Sequence, residues 1–406
     1  MPNYQNLSKE LQERIKEDRA HHWENPYAFR DENVVRRRPS HDKANLWRPA
    51  FVRDTEKIMH IPFYNRYADK TQVFSFYKND DISRRSQHVQ LVSRIARNIG
   101  RVLGLNLDLI EAISLGHDIG HTPFGHAGEA ILNDLYHGRT GRYFAHNIQS
   151  ARVLDVIFPL NLSLETLDGI ICHNGETELK EYQPKAYADF DVFDQRVERC
   201  YLDRKENEKL IPATLEACVM RISDIIAYLG KDRQDAEKLK IFSEKPVYMD
   251  GKIGNTNAEI INNMIVNILE NSYGKNYIGM DEEYFQAFSI GKEENYRMIY
   301  DNPKIREVFE KQIRPMFEVV YEKLLTDILE GNRDSVVYKH HIDYIREQTK
   351  YYAVTDYATQ KPDDIVVDYL ASMTDDYFID LYHYLFPRGR YHVDYVGYFS
   401  GIGKKD

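Results

Sequence analysis

Six of the 15 histidines fall between residues 117 and 173, a stretch where even spacing would place about two. The densest part is GHDIGHTPFGH, which sets His117, Asp118, His121 and His126 within ten residues. An adjacent His and Asp at the end of a helix offer one imidazole nitrogen and one carboxylate oxygen, a mixed set that suits borderline or hard divalent cations. The Gly120-x-x-Pro123-x-Gly125 loop can turn two further imidazoles toward the same pocket. His88 follows the run Ser83-Arg84-Arg85, whose guanidinium groups could meet phosphate bidentately. Asp224 stands in the apolar segment ACVMRISDIIAYLGKD, where a carboxylate is costly unless paired or metal-bound. Asp224, Tyr228 and Asp232 are four residues apart, so they share a helix face with a rise of about 6 Å between neighbours. Each piece alone has a plainer reading: a lone His-Asp pair is usually structural, and Asp224 could pair with Arg221. It is the joint pattern of His88, His117-Asp118 and Asp224 that points to a metal site.

The elements that must hold these groups are helical. Val89, Val92, Ile95, Ala96, Ile99 and Leu103 recur three and four residues apart, which predicts an amphipathic helix from 88 onward. Further helices are expected near 107–117, with Asp108 in its N-cap region, and near 126–136, 147–158, 163–173 and 213–230. Gly120 and Pro123 interrupt the chain before the helix at 126–136. Period-two alternation is scarce, and its best instance is RYHVDYVGYF at 390–399. The expected class is mostly α, a helical array with additional C-terminal helices and little β.

Neither repeats nor a Pro/Gly/Ser linker divide the 406 residues. The reading is a charged arm at 1–50 that includes Arg36, Arg37 and Arg38 and is taken as solvated, a catalytic core at 51–240, and a helical C-terminal region at 241–406 that completes the pocket and forms an oligomer interface. With 42% apolar residues, a net charge of −10 and a mean hydropathy of −0.59, the composition is that of a soluble globular protein and excludes a membrane span. The acidic balance argues against a dedicated nucleic-acid coat. Cys172, Cys200 and Cys218 are widely separated, so neither a disulfide framework nor a thiolate zinc site is indicated, and a reducing cytoplasm is expected.

The chain resembles the HD-domain deoxynucleoside triphosphate triphosphohydrolases, the dGTPase-like group. The resemblance runs through RPAFVRDTEKIMH (48–60), NRYADKTQVF (65–74), SRRSQH (83–88), GHDIGHTPFGHAGE (116–129), FAHNIQS (144–150), SDIIAYLGKDRQDA (223–236) and VVDYLASMTDDY (366–377). It implies an HD-domain fold with a divalent cation, Mn²⁺ or Mg²⁺ first and Fe²⁺, Co²⁺, Ni²⁺ or Zn²⁺ as alternatives, held by His88, His117, Asp118 and Asp224. It also implies Arg85, His121 and His146 near the triphosphate, helped by lysines from 177–210, and His126 with Glu129 beside the scissile bond. Gln72, Tyr228 and Asp232 would contact the sugar and its 3′-hydroxyl. The reaction so implied is attack of activated water on the α-phosphorus, with His126, oriented by Glu129, protonating the departing 5′-oxygen, to give deoxynucleoside and tripolyphosphate. Implied partners are a dNTP substrate, a dNTP activator, single-stranded DNA and further copies of the chain as a dimer, tetramer or hexamer. The chain departs from some relatives at Ile225, where they carry a lysine, and at Tyr67, which follows Arg66 in place of leucine. Competing readings are a phosphohydrolase acting on another nucleotide, and a nucleotide-sensing or single-strand-binding protein with little turnover.

Overall fold

The computed structural model describes residues 3–174, 179–187, 189–242, 246, 248–249 and 251–398. The helices that matter for the site are α1 (Lys9–Ala20), α2 (Ala50–His60), α3 (Arg85–Leu103), α4 (Leu107–Gly116), α5 (Gly125–Thr140), α6 (His146–Arg152), α7 (Leu164–Ile171), α8 (Phe190–Leu202), α9 (Leu215–Lys238), α10 (Asn257–Ser272), α11 (Arg314–Leu329), α12 (Pro362–Ser372) and α13 (Asp375–Leu385). The sheet found among the described residues has two antiparallel strands, β1 (Glu181–Tyr182) and β2 (Ile278–Gly279). This is the mostly α array expected from the sequence, with helices added toward the C-terminus.

The centre of the array is α3, α4 and α9, each packed on another of the three, with α2 and α7 against α4 and α10 against α9. The six apolar positions read from the sequence of α3 are all buried, and the five valine, isoleucine and leucine side chains each contribute about 1.5–3 kcal/mol by leaving water. Gly104 ends α3 in the left-handed conformation, at φ 70°, with its N–H bonded to the Gly100 carbonyl. The cap of α4 is Asn106, whose side chain accepts from the N–H groups of Asp108 and Leu109. Asp108 lies in the first turn, so the helix starts at Leu107 as expected, with Asn106 as its cap. The helix expected at 147–158 is α6 continued by a π-helical stretch, Val153–Ile157.

Between α4 and α5 the chain makes the tight crossing that the glycines and proline foretold. A Cβ on Gly120 would stand 2.2 Å from the Ser150 nitrogen, so only glycine lets this loop pass α6. Phe124 adopts φ 62°, which costs a side-chain-bearing residue about 1–2 kcal/mol. Two features offset that cost. The Phe124 N–H donates to Asp375 Oδ1 at 3.0 Å, and its ring packs edge-on among Phe309, Phe317 and Phe378.

Two expectations are corrected. The charged N-terminal stretch is not a solvated arm. The Arg36 guanidinium is buried and donates to Asp54 Oδ1 at 2.6 Å and to the carbonyls of Asn161 and Ala50. Arg37 pairs with Asp155 and Asp194, Arg38 reaches the Pro159 carbonyl, and the main chain at Asn3 and Gln5 is bonded by Glu259 and Asn263 of α10. Opposite charges and carbonyls elsewhere in the chain, invisible in local composition, draw this segment in. The alternating stretch at 390–399 forms no strand over 390–398. It makes an isolated bridge, Tyr77 with Val396, because no neighbouring strand offers a ladder; residue 399 lies outside the described residues. All three cysteines are buried thiols, and no helix of the described residues is long and apolar enough to cross a membrane.

Candidate active site

Three helices bring the expected metal ligands to one buried pocket. His88 comes from the first turn of α3, His117 and Asp118 from the end of α4, and Asp224 from the middle of α9. Asp224 Oδ1 lies 2.9 Å from His88 Nε2 and 3.8 Å from His117 Nε2, and Asp118 Oδ1 lies 3.6 Å from His117 Nε2. His117 Nδ1 is 2.7 Å from the Ser114 carbonyl. A carbonyl only accepts, so Nδ1 carries the proton and Nε2 presents a lone pair inward. That Nε2 is buried without a hydrogen-bond partner, the condition of a ligand awaiting a cation. Donors bonded at about 2.1 Å stand roughly 3.0 Å apart in an octahedral shell and about 3.4 Å apart in a tetrahedral one, so His88, His117 and Asp224, whose donor atoms lie within 4.8 Å of one another, could hold a divalent ion, with Asp118 beside His117. Burial would raise the Asp118 carboxyl, but Arg85 and the surrounding imidazoles hold it well below the usual range.

Arg85 was expected at the triphosphate, and the structure ties it first to Asp118: Nη1 pairs with Asp118 Oδ2. Its Nε and Nη2 remain buried without partners, so two donors are still free to meet phosphate. Arg84 is half-buried and reaches Thr71 instead.

A second group of side chains surrounds Glu129. This carboxylate accepts from His126 Nδ1 at 3.0 Å, from His146 Nδ1 at 2.9 Å and from the His146 N–H at 2.8 Å. Burial would raise it, but His146 and His126 hold it well below the carboxylate range. Burial would lower His146 in turn, but Glu129 and Asp118 push it up to about 9. His126 differs from its neighbours in being open, with a side chain 68% exposed. His121 stacks on His146 with ring centroids 4.5 Å apart, and both its ring nitrogens are buried without partners. Burial, with the charges of Arg85 and His146, drives His121 well below an ordinary histidine, so it is a neutral imidazole with one N–H to give.

His173 also belongs here, although no motif in the sequence assigned it a role. It is buried, its Nε2 lies 3.0 Å from His146 Nε2 and 3.7 Å from Asp118 Oδ1, and burial with His117 and His146 pulls it down to about 3. The available signal was its membership of the histidine-rich stretch. Lys70 was missed as well. Its buried ammonium clamps the His121 carbonyl to the Ala371 carbonyl of α12, fixing the loop that carries His121.

The residues expected at the sugar are more spread. Gln72 sits beside the start of α5, its carbonyl 3.3 Å from where a Cβ on Gly125 would stand, and its Oε1 is buried without a partner. Asp232 accepts from the Tyr300 hydroxyl at 2.7 Å, and burial pushes its carboxyl up to about 7. Tyr228 is half-buried near the same Tyr300. The lysines of 177–210 do not gather at the pocket as a group: Lys180 and Lys209 are tied to Glu282 and Glu206 on exposed surface, while residues 177, 178 and 188 of that stretch lie outside the described residues.

Residues 85–229 match the HD domain family, the interval that holds every member of the His/Asp cluster. A deoxyguanosinetriphosphate triphosphohydrolase-like protein of Caldanaerobacter subterraneus subsp. tengcongensis is 31% identical over 367 residues, spanning 89% of this chain and 91% of the relative. The chain belongs to the deoxyguanosinetriphosphate triphosphohydrolase-like family. A protein of the same description from Pelagibacter ubique is 30% identical over 363 residues, covering 83% of this chain and 93% of the relative. One from Rhodopseudomonas palustris is 40% identical over 203 residues, about half of each chain at 48% and 49%. Among solved structures, a hypothetical protein from Aquifex aeolicus superposes with a TM-score of 0.38 at 15% identity, covering 82% of this chain and 70% of that one. Membership of this family makes the chain a nucleotide phosphohydrolase of the HD type. Asp232, Tyr300 and Asp375 lie beyond the matched HD segment, so the contacts of Tyr300 with Asp232 and of Asp375 with the Phe124 turn are made by chain outside it.

Proposed function

We propose that the chain hydrolyses deoxynucleoside triphosphates at the α-phosphate, releasing a deoxynucleoside and tripolyphosphate. The observation that carries this reading is the exposed His126 held by half-buried Glu129 beside a His/Asp cluster that could hold a divalent ion. His88, His117, Asp118 and Asp224 would hold the ion, Mn²⁺ or Mg²⁺, which when bound acidifies water and polarises phosphoryl oxygens. The two free donors of Arg85 and the N–H of His121 meet the phosphate oxygens, placing charge where it accumulates in the transition state. His146 adds a further contact at the same end.

His126 does the proton work. Glu129 takes its Nδ1–H, which leaves Nε2 turned to the open side of the pocket to protonate the 5′-oxygen as the P–O5′ bond breaks. The oxygen of water forms the new bond to phosphorus, and the proton it sheds restores the acid for the next turnover. Asp232, Tyr228 and Gln72 receive the sugar, with the Asp232 carboxyl free to hydrogen-bond the 3′-hydroxyl.

Incubation with each of the four dNTPs, singly and mixed, with Mn²⁺ or Mg²⁺ tests the reading by chromatography of the products. Deoxynucleoside and tripolyphosphate are expected, and neither with Asp118→Ala. Release of pyrophosphate or orthophosphate by the wild-type chain would select another phosphohydrolase, and absence of turnover under every mixture would favour a nucleotide-binding protein.

A further inference from the structure

We propose that Asp375 is a positioning residue for the proton transfer: by fixing the turn at Phe124 it aims the His126 imidazole at the departing 5′-oxygen. The proposal rests on the reading of His126 as proton donor. The stretch VVDYLASMTDDY carries part of the family resemblance, yet its spacing assigns Asp375 no task. The buried contacts of that residue do.

His126 is the second residue of α5, and Glu129, which accepts its Nδ1–H, belongs to the same helix. A bond within one helix sets the rotamer of the ring but not the direction in which the helix points. That direction is decided just before it, where Phe124 and Gly125 are both left-handed, at φ 62° and 59°. Glycine takes this conformation without steric cost. Phenylalanine does so only where its surroundings impose it, and such residues gather at functional sites. No side chain caps the first turn of α5. That turn closes on the loop so tightly that a Cβ on Gly128 would stand 1.9 Å from the Pro123 carbonyl oxygen, so a shift of the loop is passed to His126.

The constraint on Phe124 comes from α13. Asp375, the first residue of that helix, is 4% exposed and accepts the Phe124 N–H on Oδ1 at 3.0 Å. Phe378 of the same helix packs edge-on against the Phe124 ring, with centroids 5.6 Å apart. Backbone and ring are thus held by one element. The other end of the loop is tied to the same stretch of chain, through the Lys70 ammonium that bonds the carbonyls of His121 and Ala371. The two ties divide the work: Lys70 fixes the end that carries His121 toward the phosphates, and Asp375 fixes the end that carries His126. Asp375 is too enclosed to meet substrate, so it acts through His126 alone.

The test compares the best of the four dNTPs with its 5′-thio analogue, in which sulfur replaces the departing 5′-oxygen. A thiol is a much stronger acid than an alcohol and leaves as thiolate, so the analogue keeps the sugar, base and phosphate contacts while dispensing with the proton donor. With Mn²⁺ present, Asp375→Ala is expected to lower kcat for the dNTP by about 10²-fold, with KM retained, and to turn over the 5′-thio analogue near the wild-type rate. His126→Ala should show the same selective loss. Asp375→Glu, which displaces the carboxylate by one methylene, is expected to repeat the pattern and serves if the alanine variant does not fold. Equal losses on both substrates in both Asp375 variants, or no loss on either, would overturn the proposal and leave Asp375 a support of the fold, with the selective loss in His126→Ala still standing. Absence of that selectivity in His126→Ala would instead remove the donor reading, and the proposal with it.

Discussion

Glu129 accepts from two imidazoles at once, so removing its charge should be felt both at the proton donor and at His146. Glu129→Gln is expected to lower kcat by about 10²-fold or more, and His126→Ala by a similar factor. Because the two act as one unit, the double variant should lose little beyond the worse single one. Initial rates at saturating substrate check this; full kcat in Glu129→Gln would detach the carboxylate from the chemistry. At this scale the sequence was informative wherever spacing encoded a shared face or loop: His88, His117, Asp118 and Asp224 do converge, across 136 residues of chain. His173 and Lys70 were not readable, because each joins the pocket through a tertiary contact, with Asp118 and with the Ala371 carbonyl, that no local pattern announces.

Among the elements, α3 was legible residue by residue because burial on one side of a helix must repeat at the helical period. The alternation at 390–399 misled for the complementary reason: a strand exists only with a partner, and period-two patterning says nothing of whether one is near. Arg36 misled through its neighbours, since three consecutive arginines read as solvated until Asp54 and the carbonyls of Ala50 and Asn161 close around the first. That contact has a measurable consequence. Arg36→Ala leaves the Asp54 carboxylate buried without its cation, and loss of one partner of such a pair costs about 3–5 kcal/mol. Chemical denaturation should show a loss of that size, while Arg38→Ala, whose guanidinium reaches only backbone carbonyls in a half-buried setting, should cost clearly less. Equal and small losses for both would mean that the N-terminal segment does not hold the core.

Across the whole molecule, the HD segment carries the His/Asp cluster and His126, while later chain meets it through Tyr300 on Asp232 and Asp375 on the Phe124 turn. The HD match ends at residue 229, so Asp232 and the Asp375 contact on the His121–His126 loop lie in chain that the shared HD segment does not include. The central claim is that water attacks the α-phosphorus and the P–O5′ bond breaks. Hydrolysis of a dNTP in ¹⁸O-labelled water, followed by mass spectrometry of both products, reads that bond directly. The label is expected in tripolyphosphate, with none in the deoxynucleoside; label in the 5′-hydroxyl, or in orthophosphate or pyrophosphate released from a remaining nucleotide, would contradict the account.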